Sequence, residues 1–215
     1  MKRIETFTDR YPLIGPVIWV LSVQYFVIQI IAAESYKTAY SLRFNTISDL
    51  GNSVCGIYSG KYVCSPLHNF MNASFIILGI TMASGALFIY QEFKKDTLTL
   101  IGFSCMALAG FGTLLVGLFP ENTVSTLHIL GASLPFLIGN IGLIILSIAL
   151  VIPKLLRYYT LLSGAIALIA LVFFYTQHYL GLGIGGIERF VAYPQTLWLI
   201  VFGLYMSGNH FMKKT

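Results

Sequence analysis

The sequence predicts an all-α integral membrane protein, a six-transmembrane-helix bundle with both termini on the cytoplasmic side (N-in/C-in). Three observations predict it. Mean hydropathy is +0.81. Only 10% of the residues are charged against 57% hydrophobic, where a soluble domain carries about 25% charged residues. Six apolar stretches, near 11–33, 67–90, 98–118, 127–150, 159–179 and 190–210, contain no Lys, Arg, Asp or Glu. Each is long enough for a hydrocarbon core of roughly 30 Å at about 1.5 Å per residue. Backbone amides in lipid must be satisfied within the segment, so each stretch is expected to be a helix. The 215 residues then form a single polytopic domain (1–215), because the longest interval between spans, 34–66, is too short and polar to build its own core.

Cation placement sets the orientation. With the N-terminus inside, Lys2, Arg3, Arg10, Lys94, Lys95, Lys154, Arg157, Lys213 and Lys214 are internal, and Lys37, Arg43, Lys61 and Arg189 external. Nine against four is a positive-inside bias. The eight acidic residues divide evenly, so the net charge of +5 belongs to the inner surface. It marks topology and contact with anionic lipid, not nucleic-acid binding.

The first span follows Lys2 and Arg3 but is too long for a signal h-region, and Ile31-Ala32-Ala33 is a poor cleavage site. It is read as a retained signal-anchor helix. In the loop that follows, Ser48 and Asp49 are expected to cap a short helix starting near Leu50. Cys55 and Cys64, with eight residues between them, form either a disulfide in an oxidising compartment or two free thiols. The second span opens with His68, Asn69 and Asn72, whose polar groups can bond across helices, as can Gln24 and Gln29 of the first. The third span repeats small residues at Gly110, Thr113 and Gly117, holds Cys105 as a packing residue and stops before Pro120. In the fourth, His128, Ala132, Pro135 and Gly139 share a helical stripe beside Asn140, which turns His128 inward. The fifth ends at His178 and Tyr179. Gly181–Gly186 lacks the preceding strand a dinucleotide loop needs, and is expected to be a flexible hairpin or lid leading to Glu188, Arg189 and the sixth span.

Almost every group able to do chemistry thus gathers at the extracytoplasmic ends of the helices. The second, fourth and sixth helices begin there, each with a cationic or titratable side chain near its N-terminus: His68, His128 and Arg189. Helix N-termini favour anions and arginine strengthens the preference. The candidate catalytic residues are His68, His128, Asp49 and Glu121, as base and acid. The candidate ligand-binding residues are Arg189, Glu188, His178, Asn69 and Asn72, with Glu188 and Arg189 able to pair at the rim. His68, His128 and His178 with a carboxylate would also supply a zinc site, and His68 facing His128 a heme.

The motifs Asn-Thr-Ile-Ser-Asp-Leu-Gly-Asn (Asn45–Asn52), Cys-Ser-Pro-Leu-His-Asn-Phe-Met-Asn (Cys64–Asn72), Gly-Leu-Phe-Pro-Glu-Asn (Gly117–Asn122) and Leu-His-Ile-Leu-Gly-Ala (Leu127–Ala132) resemble a prokaryotic membrane family, domain of unknown function 998. The resemblance implies the fold and no catalytic residue. Ile47-Ser48-Asp49 and the six-span plan also resemble the Frag1/DRAM/Sfk1 membrane proteins, some of which act in lipid-anchor remodelling or lipid organisation. Where those continue with Pro-Glu, this chain has Leu50-Gly51-Asn52. The expectation that follows is a multi-pass cell-membrane protein that recognises a lipid or amphipathic anion at the extracytoplasmic leaflet. Its partners would be membrane lipids and not nucleic acid. The alternatives are a lipid hydrolase or transferase using the outer His, Asp and Glu residues, and a non-enzymatic accessory or transport protein. Ion-coupled transport is disfavoured because Asn140 and Trp198 are the only deep polar or amphipathic candidates.

Overall fold

A computed structural model describes residues 11–212, with side chains to residue 210. Lys2, Arg3, Arg10, Lys213 and Lys214, five of the nine inner cations, therefore lie outside the described residues. Six helices are long and apolar enough to cross a membrane: α1 (Ile14–Glu34), α2 (His68–Tyr90), α3 (Thr97–Leu118), α4 (Ser125–Ala149), α5 (Lys154–Tyr175) and α6 (Gly183–Met212). Their lipid-facing sides carry exposed Ile30, Leu87, Ile148, Ile169 and Val172.

Three boundaries depart from the hydropathy reading, one being the end of α5, which falls at Tyr175 and not Tyr179. Helix α5 starts at Lys154, directly after Pro153 at its N-cap. The aliphatic stems of Lys154 and Arg157 let the helix extend into the interface. Helix α6 starts at Gly183, not near 190, so Glu188 and Arg189 stand in its second turn, 4% and 8% exposed. From Gly183 onward the glycine-rich segment is thus helix and not a lid, with Gly181 and Leu182 in the turn before it. A Cβ at Gly183 or Gly185 would strike the carbonyls of Arg43 or Asn45, and the Gly185 amide donates to Arg43 O at 3.0 Å. These glycines allow the loop after α1 to lie on the helix start.

Small residues close the bundle. A Cβ at Gly79 would lie 2.5 Å from Gly110 O, and one at Gly110 2.6 Å from Gly79 O, so α2 and α3 meet backbone to backbone. Trp19 fills the notch at Gly85, donates from Nε1 to Met82 O at 3.2 Å, and packs edge-on to Trp198 with ring centres 5.2 Å apart. Gln24 and Ser74 exchange hydrogen bonds between α1 and α2. In α4, Leu134–Gly139 widens to a π-type turn around Pro135. Asn140 Nδ2 gathers the carbonyls of Pro135 (3.3 Å), Phe136 (2.9 Å) and, across the interface, Val191 of α6 (3.4 Å). The deep asparagine thus covers carbonyls of the widened turn and ties it to α6. His128, Pro135 and Gly139 all face inward, as their shared stripe requires.

The loop after α1 builds a lid-like layer over one end of the bundle. It contains a single 3-10 turn (Ser48–Gly51) and a hairpin of β1 (Gly56–Tyr58) and β2 (Lys61–Val63) paired antiparallel with Ile57 opposite Tyr62. Ser59 and Gly60 turn the hairpin with φ of 47° and 77°. Cys55 and Cys64 are joined by a disulfide at its base, and Cys105 is free and partly buried in α3.

Candidate functional site

The site is built on the turn 45–52, which is polar yet buried. Its sequence alternates short polar side chains with Ile47 and Leu50, both inserted in the core at 2% and 1% exposure. Asp49 does not cap a helix starting at Leu50. Its carboxylate turns back to accept from Thr46 N (2.9 Å) and Asn45 Nδ2 (3.0 Å), while the Asp49 amide donates to Thr46 Oγ1 at 3.1 Å. Lys61, delivered by β2, forms an ion pair with the same carboxylate. From below, Asn72 Nδ2 of α2 donates to Gly51 O at 2.9 Å, and Ser65 Oγ to Leu50 O at 2.7 Å. A Cβ at Gly51 would overlap Asn72 Oδ1, so glycine permits that approach.

Three other elements converge on this turn. His128 Nδ1 lies 2.9 Å from Phe119 O, which can only accept, so Nδ1 carries the proton. In the neutral ring Nε2 is then an acceptor, and Ser48 Oγ sits 3.0 Å from it. Glu188 of α6 accepts from the Ile47 amide through Oε2 at 2.5 Å, and its Oε1 lies 3.4 Å from Ser48 Oγ. The single hydroxyl proton of Ser48 therefore faces both an imidazole and a carboxyl group. Glu121, in the α3–α4 loop just past Pro120, accepts from Asn52 Nδ2 at 2.9 Å. Tyr58 donates to Glu121 O at 3.0 Å.

These side chains border a cavity of about 320 Å³. Its floor is polar: Ser48, Asp49, Lys61, Glu121, His128 and Glu188. Its outer walls include Ile129 and Tyr175, which are 57% and 61% exposed on the bundle perimeter, together with Phe136 and Phe174. A narrower void of about 40 Å³ shares Ser48, Ala132, Phe136 and Glu188 in its wall and lies deeper, against Tyr25, Met82 and Gln195. Burial, the Asp49 and Glu188 charges and a hydrogen bond to Asp49 push the Glu121 carboxyl up to about 9, so it is protonated at neutral pH. Burial and the neighbouring Glu121 and Asp49 also raise the Tyr58 phenol, which stays a donor.

Of the sequence-expected residues, Asp49, Glu121, His128 and Glu188 share this cavity. His68 does not line it; its Nδ1 is 2.8 Å from Ser65 O within its own turn. His178 is exposed beyond α5, with Nδ1 at 2.9 Å from Thr176 O. Among the described residues no three His, Cys, Asp or Glu side chains are grouped as metal ligands would be. The three-histidine zinc arrangement is therefore not assembled. His128 also has both ring nitrogens engaged within the protein, which removes the geometry for a heme held between it and His68. Asn69 is exposed, and Asn72 supports the turn. Arg189 and Glu188 are neighbours that point apart. Arg189 Nη1 donates to Leu42 O (3.2 Å), Asn45 O (3.0 Å) and Gly185 O (2.7 Å), and Nη2 to Tyr40 Oη. Sequence reasoning missed Ser48, Lys61, Asn52 and Tyr58 as cavity partners. The density of short polar residues around two apolar anchors marks the turn holding Ser48 and Asn52 as buried without assigning either a partner, and nothing local marks Tyr58 and Lys61, which the hairpin brings in.

A family model described as "Protein of unknown function (DUF998)" matches residues 16–205. No curated protein and no solved structure matches the chain.

Proposed function

The chain belongs to the DUF998 family of proteins of unknown function, and from that premise we propose that it is a multi-pass membrane protein that binds the polar head of an amphiphile from the extracytoplasmic leaflet. The supporting observation is the cavity of about 320 Å³, with a buried polar floor and a wall that includes the lipid-facing side chains Ile129 and Tyr175. Such a wall accepts acyl chains while the floor takes the head. The floor is rich in acceptors: three carboxyl groups, of which one is paired with Lys61, and the hydroxyls of Ser48, Thr46 and Ser125. A head that offers donors, an amine or a set of hydroxyls, complements it better than the anion suggested by Arg189, which does not border this cavity. A bound ammonium head would favour release of the Glu121 proton to water and pair with the carboxylate left behind.

The test uses purified protein in mixed micelles with phosphatidylethanolamine and phosphatidylcholine of identical acyl chains, with retention read by native mass spectrometry. The first headgroup donates hydrogen bonds and the second does not. At least tenfold preference for phosphatidylethanolamine, lost in Glu121→Gln and Glu188→Gln, supports the reading. Equal retention of both lipids by the wild type defeats it.

A second reading, ester or acyl chemistry, is favoured by one observation: Ser48 Oγ is hydrogen-bonded to His128 Nε2 while Phe119 O fixes the tautomer. That is the geometry of an activated hydroxyl. Binding takes precedence because an oxyanion would develop among Asp49, Glu121 and Glu188. Labelling of Ser48 by a fluorophosphonate, abolished in His128→Ala, would reverse that order.

A further inference from the structure

On the far side of the same loop, α1 and α6 leave a second groove of about 790 Å³, bordered by Phe26, Gln29, Ile30, Tyr36, Arg189 and Tyr193. Its polar lining is unlike that of the first cavity. Gln29, Tyr36 and Arg189 are 5%, 8% and 8% exposed, and Gln29 Nε2, Tyr36 Oη and Arg189 Nε have no hydrogen-bond partner. Buried polar atoms are rarely left so, and three around one groove mark a place where a partner is missing. All three can donate. Burial and the nearby Asp49 charge hold the Tyr36 proton in place, and Tyr193 occupies Gln29 Oε1 at 2.7 Å, which leaves the amide nitrogen free.

Charge points the same way. The other nitrogens of Arg189 meet only neutral oxygens, the carbonyls of Leu42, Asn45 and Gly185 and the Tyr40 hydroxyl. The Lys61–Asp49 ion pair lies in the other cavity, where Glu188 also turns. The only carboxylate bordering the groove is Glu34, exposed at the end of α1. The outer edge carries Ile30 and Leu42, 64% and 63% exposed, where acyl chains would lie. We infer that this groove binds the anionic phosphodiester head of a membrane phospholipid, its oxygens accepting from Arg189 Nε, Gln29 Nε2 and Tyr36 Oη. The site is independent of the amphiphile cavity. It shares no lining residue with it.

Native mass spectrometry of the full chain in mixed micelles of equimolar phosphatidylmethanol, an anionic phosphodiester with no hydrogen-bond donor, and phosphatidylcholine tests this. The wild type should retain one phosphatidylmethanol, preferred at least tenfold. Tyr36→Phe removes only an unbonded oxygen, and Gln29→Glu keeps the acceptor for Tyr193 while replacing the free donor. Each should cut retention at least tenfold, whereas Glu121→Gln, in the other cavity, should leave it unchanged. Tyr36→Phe is the decisive variant because the hydroxyl it removes has no partner at full hydrogen-bonding geometry, the Cys64 backbone being its nearest polar neighbour. Retention by Tyr36→Phe equal to wild type, or equal retention of the two lipids by the wild type, overturns the inference.

Discussion

Glu121→Gln should make the protein less sensitive to alkaline conditions. The folded chain raises the Glu121 carboxyl from an ordinary 4.5 to about 9, chiefly by burial and then by the charges of Asp49 and Glu188. Between those values the folded state keeps a proton that the unfolded chain has released. Stability from this group is therefore greatest below the unfolded value, declines as pH rises towards 9, and levels off above. One such proton changes stability by at most about 1.4 kcal/mol per pH unit. From pH 6 to 8, which lies between those two values, the loss should be about 1–3 kcal/mol. Glutamine keeps the oxygen that accepts from Asn52 Nδ2 at 2.9 Å and offers Asp49 a donor, as the protonated acid does. The variant should match wild type at pH 5 and exceed it by several degrees in melting temperature at pH 8, on the order of 5 °C. Thermal unfolding in detergent at constant ionic strength, followed by the fluorescence of buried Trp19 and Trp198, measures this. Parallel pH curves for the two proteins would refute the reasoning.

Other outcomes follow from the packing and the loop. Gly79→Val puts side-chain atoms against the α3 backbone, where even a Cβ would lie 2.5 Å from Gly110 O. It should cost about 1–3 kcal/mol or more, seen as a lowered melting temperature. Replacing both Cys55 and Cys64 by serine should remove about 2–3 kcal/mol. Alkylation of unfolded wild type without reductant should modify Cys105 alone, and all three cysteines after reduction. Arg189→Gln frees the carbonyls of Leu42 and Asn45 and should expose the 37–47 segment to proteolysis and to fast amide exchange while the helices stay protected. The change should reach at least tenfold in exchange rate at Asn45 and Thr46, and unchanged protection there would show that the guanidinium does not hold the loop.

Hydropathy located all six helices because lipid leaves the backbone few choices, and the inward stripe of His128 and Gly139 was legible from helical spacing alone. The start of α6 was not. Glu188 and Arg189 end any apolar window, yet both lie in the second turn of the helix because the 42–47 loop supplies their partners, which no local pattern encodes. The same holds for the site. Asp49, Glu121 and His128 were recognisable by residue type and by lying at one end of the bundle. Ser48 and Lys61 were not, since a serine beside a possible cap and a lysine in a loop look ordinary until the hairpin folds back. His68 and His178 share the same membrane end but not the cavity, because depth along a helix leaves the direction of a side chain open.

The partners that fix the 3-10 turn come from far along the chain: His128 is 80 positions from Ser48, and Glu188 is 141 from Ile47. During synthesis the first five helices can insert while the turn still lacks its last anchor. Only when α6 emerges and threads does Glu188 reach the waiting amide and the floor of the cavity become complete. Assembly of the pocket thus reports that the polypeptide has been integrated through its sixth crossing, and a chain stalled before that point would carry the helices without the finished pocket.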